Sequence, residues 1–461
     1  MEKKQSRQEG SVTLDGKPSG KKILFACVPA DGHFNPLTGI AKHLQSIGYD
    51  VRWYSSANYQ EKLEELGMPF YPFDTALEVT GDTVDEIFPE RNTFKNPVKK
   101  LNFDIINFFI ERGPEYFADI LNIHRSFPFD LLIADCAFTG IPFVSDKMNI
   151  PVISIGVFPL TETSRDLAPN GLGMTPAKSF AGKIRQSILH LIADNFLFKK
   201  SNLALKNMMD QHGIEHNNAN VFDMLVKKST LLLQSGTPGF EYYRSDLGHN
   251  VRFIGGLLPY NPGKSSAAWF DKRLNQYKNI VLVTQGTVER DTEKIIVPTL
   301  EAFKDSDTLV VATTGGAQTK ELRERYPQAN IIIEDFIPFA DVMPYADVYI
   351  TNGGFGGVIL GIESRLPFVV AGVHEGKNEI NARISYFQLG INLKTERPKP
   401  AQLKKAVDEV LANDIYKTNV LRLSREFKAY DSYELCAEYV RSLLYPEGIQ
   451  RSPLFIKVIN N

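Results

Sequence analysis

Residues 346–383 read ADVYITNGGFGGVILGIESRLPFVVAGVHEGKNEINAR, and this stretch constrains the chain more than any other. An apolar strand, Asp347 to Thr351, meets the glycine cluster Gly353, Gly354, Gly356 and Gly357. A helix follows from about Val358, and a second apolar strand runs from Phe368 to Val373. Two buried strands joined through a helix form a parallel βαβ unit, which commits the surrounding chain to an α/β sheet. The glycines allow a ligand to approach the backbone, and the helix aims its free N–H groups and positive dipole end at the same gap. Such a corner is suited to a diphosphate, although the glycines alone describe a tight turn without a ligand equally well.

The segment after the second strand narrows that choice. His374, Glu375, Lys377, Asn378 and Glu379 fall at the strand's carboxyl end, where open α/β sheets bind ligands. A hydroxyl-matching cluster one loop away from a diphosphate corner points to a nucleotide sugar, with phosphates on the glycines and sugar hydroxyls on the carboxylate and amide. A solvated helix N-terminus is the plainer alternative.

Similar βαβ patterning recurs along the chain. A strand begins at Lys22, the loop PADGHFN follows, and Asn35 as N-cap with Pro36 at the first helical position predicts a helix ending near Gly48. Strands are expected at Asp50 to Tyr54, Leu131 to Ala134 and Val152 to Val157, and no GxGxxG follows the first of these units. A second series has strands from Asn279, at Thr308 to Thr313 and at Asn330 to Glu334. Between the two series, Asn250 to Phe270 carries the Gly, Pro and Ser content of a linker and hinge. A chain of 461 residues, 43% of them hydrophobic, can build two cores, so the expected organisation is two doubly wound domains. Residues 1–20 form a disordered polar tail, 21–255 an N-terminal domain, 256–430 a C-terminal domain, and 431–461 a terminal helix and tail.

Several classes are disfavoured. A net charge of -2 gives no basic footprint for nucleic acid. Cys27, Cys136 and Cys436 are too far apart for a metal-ligand pattern, and Cys27 and Cys136, each in an apolar strand-like run, read as buried thiols of a reducing compartment. The polar N-terminus lacks the apolar core of a secretory signal, and no apolar run is long enough for a membrane span. A cytoplasmic protein without stable membrane insertion is expected. The stretch Gln186 to Lys199, QSILHLIADNFLFK, reads as a core or acceptor-site helix, with peripheral membrane contact as the other reading.

The corner and its surroundings resemble the donor signature of family 1 glycosyltransferases, the inverting nucleotide-sugar enzymes of GT-B fold. The residues that carry the resemblance are Phe336 and Pro338, Thr351-Asn352-Gly353-Gly354, Arg365-Leu366-Pro367 and Asn381-Ala382. It implies two Rossmann-like domains facing across a cleft, with the terminal helix from about Asp431 to Leu444 crossing back to the first. Three departures stand out. Asn352 replaces the family's diphosphate-binding His, and Leu360 replaces its ribose-binding Glu. Glu363, one turn later, is the expected substitute, without which a deoxythymidine donor becomes as reasonable as a uridine one. The Asp-Gln pair that holds the sugar is absent, leaving Glu375 and Lys377-Asn378 as its nearest equivalents.

Imidazole suits removal of a hydroxyl proton near neutral pH, and His33 lies in the loop after the first strand, although a loop His also serves as a surface or capping residue. The resemblance of PADGHFNP to the family's Gly-His-x-x-Pro loop makes His33 the general base. Asp135, ending a strand, then becomes its partner, with a helix N-cap as the other reading of that residue. Gly286 and Thr287 of TQGT, together with Asn352, are expected to take up leaving-group charge without a metal, and Phe336 to stack on the base. No cofactor beyond the UDP- or dTDP-sugar co-substrate is implied. The aromatic density from Phe88 to Phe117 suits a flavonoid or other phenolic acceptor, and equally an ordinary core. The partners expected are thus small molecules only, with the chain a monomer or weak dimer. Two rivals remain open: a nucleotide-sugar 2-epimerase of the same fold, and a non-catalytic GT-B partner protein.

Overall fold

The computed structural model describes residues 20–80, 83–260, 268–286 and 289–446. Most of the expected N-terminal tail, the end of the C-terminal tail, the middle of the linker and Thr287 lie outside these residues.

Two parallel sheets organise the chain. The first contains β1 (Lys22–Ala26), β2 (Asp50–Ser55), β3 (Phe70–Pro72), β4 (Leu131–Asp135), β5 (Val152–Gly156), β6 (Leu231–Ser235) and β7 (Val251–Gly255), in the order β3-β2-β1-β4-β5-β6-β7. The second contains β8 (Asn279–Thr284), β9 (Thr308–Thr313), β10 (Ile331–Glu334), β11 (Val348–Thr351), β12 (Phe368–Val370) and β13 (Gly390–Asn392), in the order β10-β9-β8-β11-β12-β13. The central strands are predominantly apolar because helices cover both faces; β4, β5 and β9 are buried at every residue.

In each sheet the strand order reverses once. The first reverses between β1 and β4, the second between β8 and β11, both parallel pairs. The connections leave in opposite directions there, opening a crevice at the strands' carboxyl ends. His33 follows β1 and Asp135 ends β4, while Gly286 follows β8 and Asn352 follows β11.

The helix Ser432–Leu444 packs into the core of the first sheet, where Leu435, Cys436 and Val440 are buried with Leu37, Ile40 and Leu44 of the helix Asp31–Ser46. Gly39 makes this contact possible, since a Cβ there would overlap the Tyr433 ring. The last helix thus ties the end of the chain back to the beginning.

Two helices begin earlier than the sequence pattern suggests. The first starts at Asp31, so Pro36 lies inside it and His33 sits in its first turn rather than in a preceding loop. Tertiary contacts outweigh the proline signal: Phe34 stacks on Tyr59 with centroids 4.1 Å apart, and His33 is anchored to Asp135. The glycine-corner helix spans Phe355–Glu363 with Gly354 as N-cap, which puts Gly356 and Gly357 in its first turn. Cys27 is buried as expected, Cys136 is only half-buried, and Cys436 is buried as well.

Candidate active site

At the first switch point Asp135 is fully buried and completely engaged. Its Oδ1 lies 2.7 Å from His33 Nδ1 and accepts the Ala137 N–H at 2.8 Å, while Oδ2 accepts the Val28 N–H at 2.8 Å. The N-cap-like reading and the partner reading of Asp135 therefore describe one carboxylate with several bonds. A carboxylate on Nδ1 selects the tautomer that leaves the Nε2 lone pair free. Among the described residues Nε2 has no partner, and the His33 side chain retains 20% exposure. Phe158 meets the ring edge-on at 5.9 Å. Neighbouring Cys27 is not a competing nucleophile, because burial and then the Asp135 charge push its thiol up to about 12.

A cleft of about 440 Å³ runs between the two sheets. From the first sheet it is lined by Asp31, Gly32, Asn35 and Pro36, the residues on either side of His33 in the same helix. From the second come Gly286, Glu289, Phe336, Asn352, Gly354, Gly356, Gly357, Leu360, Glu375 and Lys377. Phe336 is 68% exposed, so its face is available to a planar ligand. The N–H groups of the first turn of the helix Phe355–Glu363 open toward the cleft, where an anion would complete their hydrogen bonding.

Several expected residues have different positions. Gly353 does not line the cleft: it takes φ +89°, and a Cβ there would overlap Asn381 Oδ1, so this glycine serves packing rather than ligand approach. Asn352 bridges two loops, its amide nitrogen donating to the Gln285 carbonyl and its oxygen accepting the Gly354 N–H at 3.2 Å. One amide hydrogen remains for a ligand.

Glu363 is turned away from the cleft and lines a separate cavity with Gly256, Lys428 and Tyr433. Three residues advance a helix by about 300°, which leaves Glu363 only about 60° round from Leu360, yet its carboxylate faces Gly256 and the last helix rather than the cleft. Burial pushes its carboxyl above the ordinary range, partly offset by Lys428. The cleft wall at Leu360 thus lacks the carboxylate that Glu363 was expected to supply.

His374 is exposed beside Glu396, which accepts its backbone N–H at 2.9 Å, and it does not line the cleft. Asn378 also lies outside the cleft, donating to the Gly171 carbonyl at 2.6 Å. Glu375 and Lys377 do line it and pair at 2.5 Å, with Glu375 in the left-handed region at φ +55°. Glu289 joins them; burial raises its carboxyl, but Lys294 and the Asp291 N–H outweigh this and leave it lowered. The described residues contain no group of three or more His, Cys, Asp or Glu arranged to hold a metal.

Sequence reasoning missed the residues that join the halves. Glu241, after β6, accepts from Arg383 Nη2 at 2.6 Å and lies 3.2 Å from Arg244. Arg383 also stacks over Tyr242, 4.3 Å from the ring centroid. Glu379 on the same helix accepts the N–H groups of Gly171 and Gly173 at 2.9 and 2.7 Å. The sequence marked this helix through Lys377, Asn378, Glu379 and Asn381-Ala382, but not its bonds across to Glu241, Gly171 and Gly173. Asn381 itself clamps the site, donating to the Asn352 and Gly372 carbonyls at 3.2 and 2.9 Å.

Two doubly wound sheets facing across a cleft, each with its switch point toward the other, define the GT-B class of glycosyltransferases. Solved structures agree on the fold: the glycotransferase of kitacinnamycin and CalG4, the calicheamicin glycosyltransferase, each superpose with a TM-score of 0.72 at 16% identity. Both comparisons cover 93% of this chain, and 100% and 99% of theirs. The profile of the UDP-glucoronosyl and UDP-glucosyl transferase family matches residues 137–431. The chain is 32% identical to 4'-demethylrebeccamycin synthase of Lentzea aerocolonigenes, over 92% of this chain and all of that protein. It is 30% identical to UDP-glucosyltransferase 1 of Beauveria bassiana, over 93% and 97% of the two chains. The chain belongs to this family, and is a family 1 glycosyltransferase.

Proposed function

We infer that this glycosyltransferase moves a sugar from a UDP- or dTDP-sugar to a hydroxyl of a small hydrophobic acceptor, a flavonoid or other phenol, with inversion. The observation that carries the reading is the 2.7 Å pair of His33 and Asp135 at one edge of a cleft whose other edge is the glycine-corner helix. His33 Nε2 takes the acceptor's proton as its oxygen bonds to the anomeric carbon, and the bond from that carbon to the diphosphate breaks. Asp135 holds the tautomer and stabilises the imidazolium. The first-turn N–H groups at Gly356 and Gly357, with Lys377, meet the charge that develops on the diphosphate. His33, Asp135 and the N–H groups supply base and charge stabilisation, so the mechanism calls on no metal or other cofactor.

Leu360 in the cleft, with Glu363 turned away, supports tolerance of a donor without a 2′-hydroxyl. The acceptor reading draws on half-buried rings, Phe88, Phe94, Phe103 and Phe108, with centroids 5.3–6.5 Å apart. The segment Ile105–Ile110 is held next to the dyad loop, since the Thr139 hydroxyl donates to the Phe109 carbonyl at 2.6 Å. Among the described residues no helix is long and apolar enough to cross a membrane, and we take the enzyme to work in the cytoplasm as a monomer or weak dimer.

The test is a panel of UDP- and dTDP-sugars against mixed phenols, with products read by mass and anomeric configuration by NMR, repeated with a chelator. Inverted glycosides that survive chelation and vanish in His33→Ala support the mechanism. Retained configuration, or full activity in His33→Ala, sinks it.

A further inference from the structure

The helix Phe180–Ile192 and the π-helical turn Ala193–Leu197 that continues it carry their apolar side chains on the outside. Phe180, Leu191 and Phe196 are 80, 65 and 77% exposed, and Ile184 and Ile188 are exposed between them. At helical spacing, positions 180, 184, 188 and 191 form one stripe. The opposite side is the one the protein buries, and it mixes Ala193 and Leu189 with two polar anchors: Gln186 donates to the Thr175 carbonyl at 3.2 Å and His190 to the Leu167 carbonyl at 2.9 Å. This helix is not the core helix its composition suggests, because its apolar face is turned away from the core.

The stripe has a basic border. Lys178, Lys183, Arg185, Lys199 and Lys200 are all exposed, and Asp194 is the single acidic residue between positions 178 and 200. Lys183 and Arg185 fall on opposite flanks of the stripe by helical angle. The helix Pro97–Asp104 extends the surface: Asn102 donates to the Leu197 carbonyl at 2.6 Å, and Leu101, Lys95 and Lys99 beside it are exposed. This concentration of positive charge belongs to a chain whose net charge is -2.

We propose that this surface docks the enzyme on an anionic lipid bilayer, with the apolar stripe entering the headgroup boundary and the lysines and arginines on the lipid phosphates. A bilayer offers hydrocarbon and negative charge in one plane, matching both features of the patch. A second copy would bring the same cations face to face, so self-association meets repulsion. The docking is independent of the donor and acceptor assignments.

The full chain is tested by co-sedimentation with vesicles of phosphatidylcholine alone and of phosphatidylcholine containing about one-third phosphatidylglycerol. Anionic vesicles bind at least about tenfold more tightly, and added salt weakens them. The triple variant Phe180→Ser/Leu191→Ser/Phe196→Ser and the pair Lys183→Glu/Arg185→Glu each lose most of that binding. Both keep the wild-type melting temperature, since the altered side chains are exposed. The proposal is overturned by equal binding to both vesicles, or by undiminished binding of the folded triple variant. It is also overturned if the wild type ignores vesicles and self-associates through the stripe in sedimentation velocity.

Discussion

Asp135 Oδ1 stands 2.7 Å from His33 Nδ1, although the two residues are 102 positions apart in the chain. The parallel pairing of β1 with β4 brings their carboxyl ends side by side and sets this distance. Replacing His33 with Ala is expected to lower kcat by about 10²–10⁴-fold while donor binding, measured by calorimetry, stays near wild type. Asp135→Asn removes the charge and presents an amide to two backbone N–H groups. It is expected to lower kcat comparably and destabilise the fold by about 1–3 kcal/mol, read by denaturant titration.

Two glycines of one corner should respond in opposite ways. Gly353→Ala meets Asn381 at positive φ and is expected to cost about 1–3 kcal/mol in denaturant unfolding. Gly356→Ala has open space around its Cβ, so stability should change by less than about 1 kcal/mol. Its effect should appear as a raised donor KM, because the added methyl faces the cleft.

Leu360 and Glu363 separate donor choice from stability. Leu360→Glu places a carboxylate in the cleft and is expected to shift the UDP-over-dTDP preference by about tenfold, the worth of one added hydrogen bond. Glu363→Gln should leave that preference unchanged. Because burial raises the Glu363 pKa in the fold, the native state disfavours its charge, so the substitution is expected to stabilise more at pH 7 than at pH 4. A change of donor preference in Glu363→Gln would contradict its placement outside the cleft.

The buried pair of Glu241 and Arg383 links the two halves. Burial raises the Glu241 carboxyl, but Arg383 and Arg244 outweigh it and hold it below the ordinary range. Its stabilising contribution is therefore complete above the unfolded glutamate value of about 4.3 and is lost as pH falls through the lower folded value. Glu241→Gln is expected to cost about 3–5 kcal/mol at pH 7, since it removes the carboxylate shared by two buried guanidinium groups and leaves Arg383 only Glu379, 3.4 Å away. The difference from wild type should shrink in denaturant titrations below about pH 4.

Local signals were enough for the elements and for part of the site. Apolar runs located β1, β4, β8, β9 and β11 to within about two residues, while the pairing of His33 with Asp135 was expected only through the resemblance of PADGHFNP to a known loop. Helix starts were less legible, because Pro36 and the four glycines of the corner are local stop and start signals that tertiary contacts overrode. Glu363 was misplaced for a related reason: sequence spacing shows that two residues are a turn apart, but not which neighbour each one faces.

The sequence by itself determined that this chain is a pair of parallel α/β sheets with a glycine-rich strand-to-helix corner, because hydrophobic period and glycine spacing are properties of short segments. Only the tertiary structure decided which side chains meet. It joined His33 to Asp135, gave Gly353 to Asn381 rather than to a ligand, and tied Arg383 to Glu241. It also turned the apolar stripe of Phe180, Leu191 and Phe196 outward. Each of these depends on strand order and on how helices rotate against the sheets, and burial energy summed over the whole core selects those arrangements.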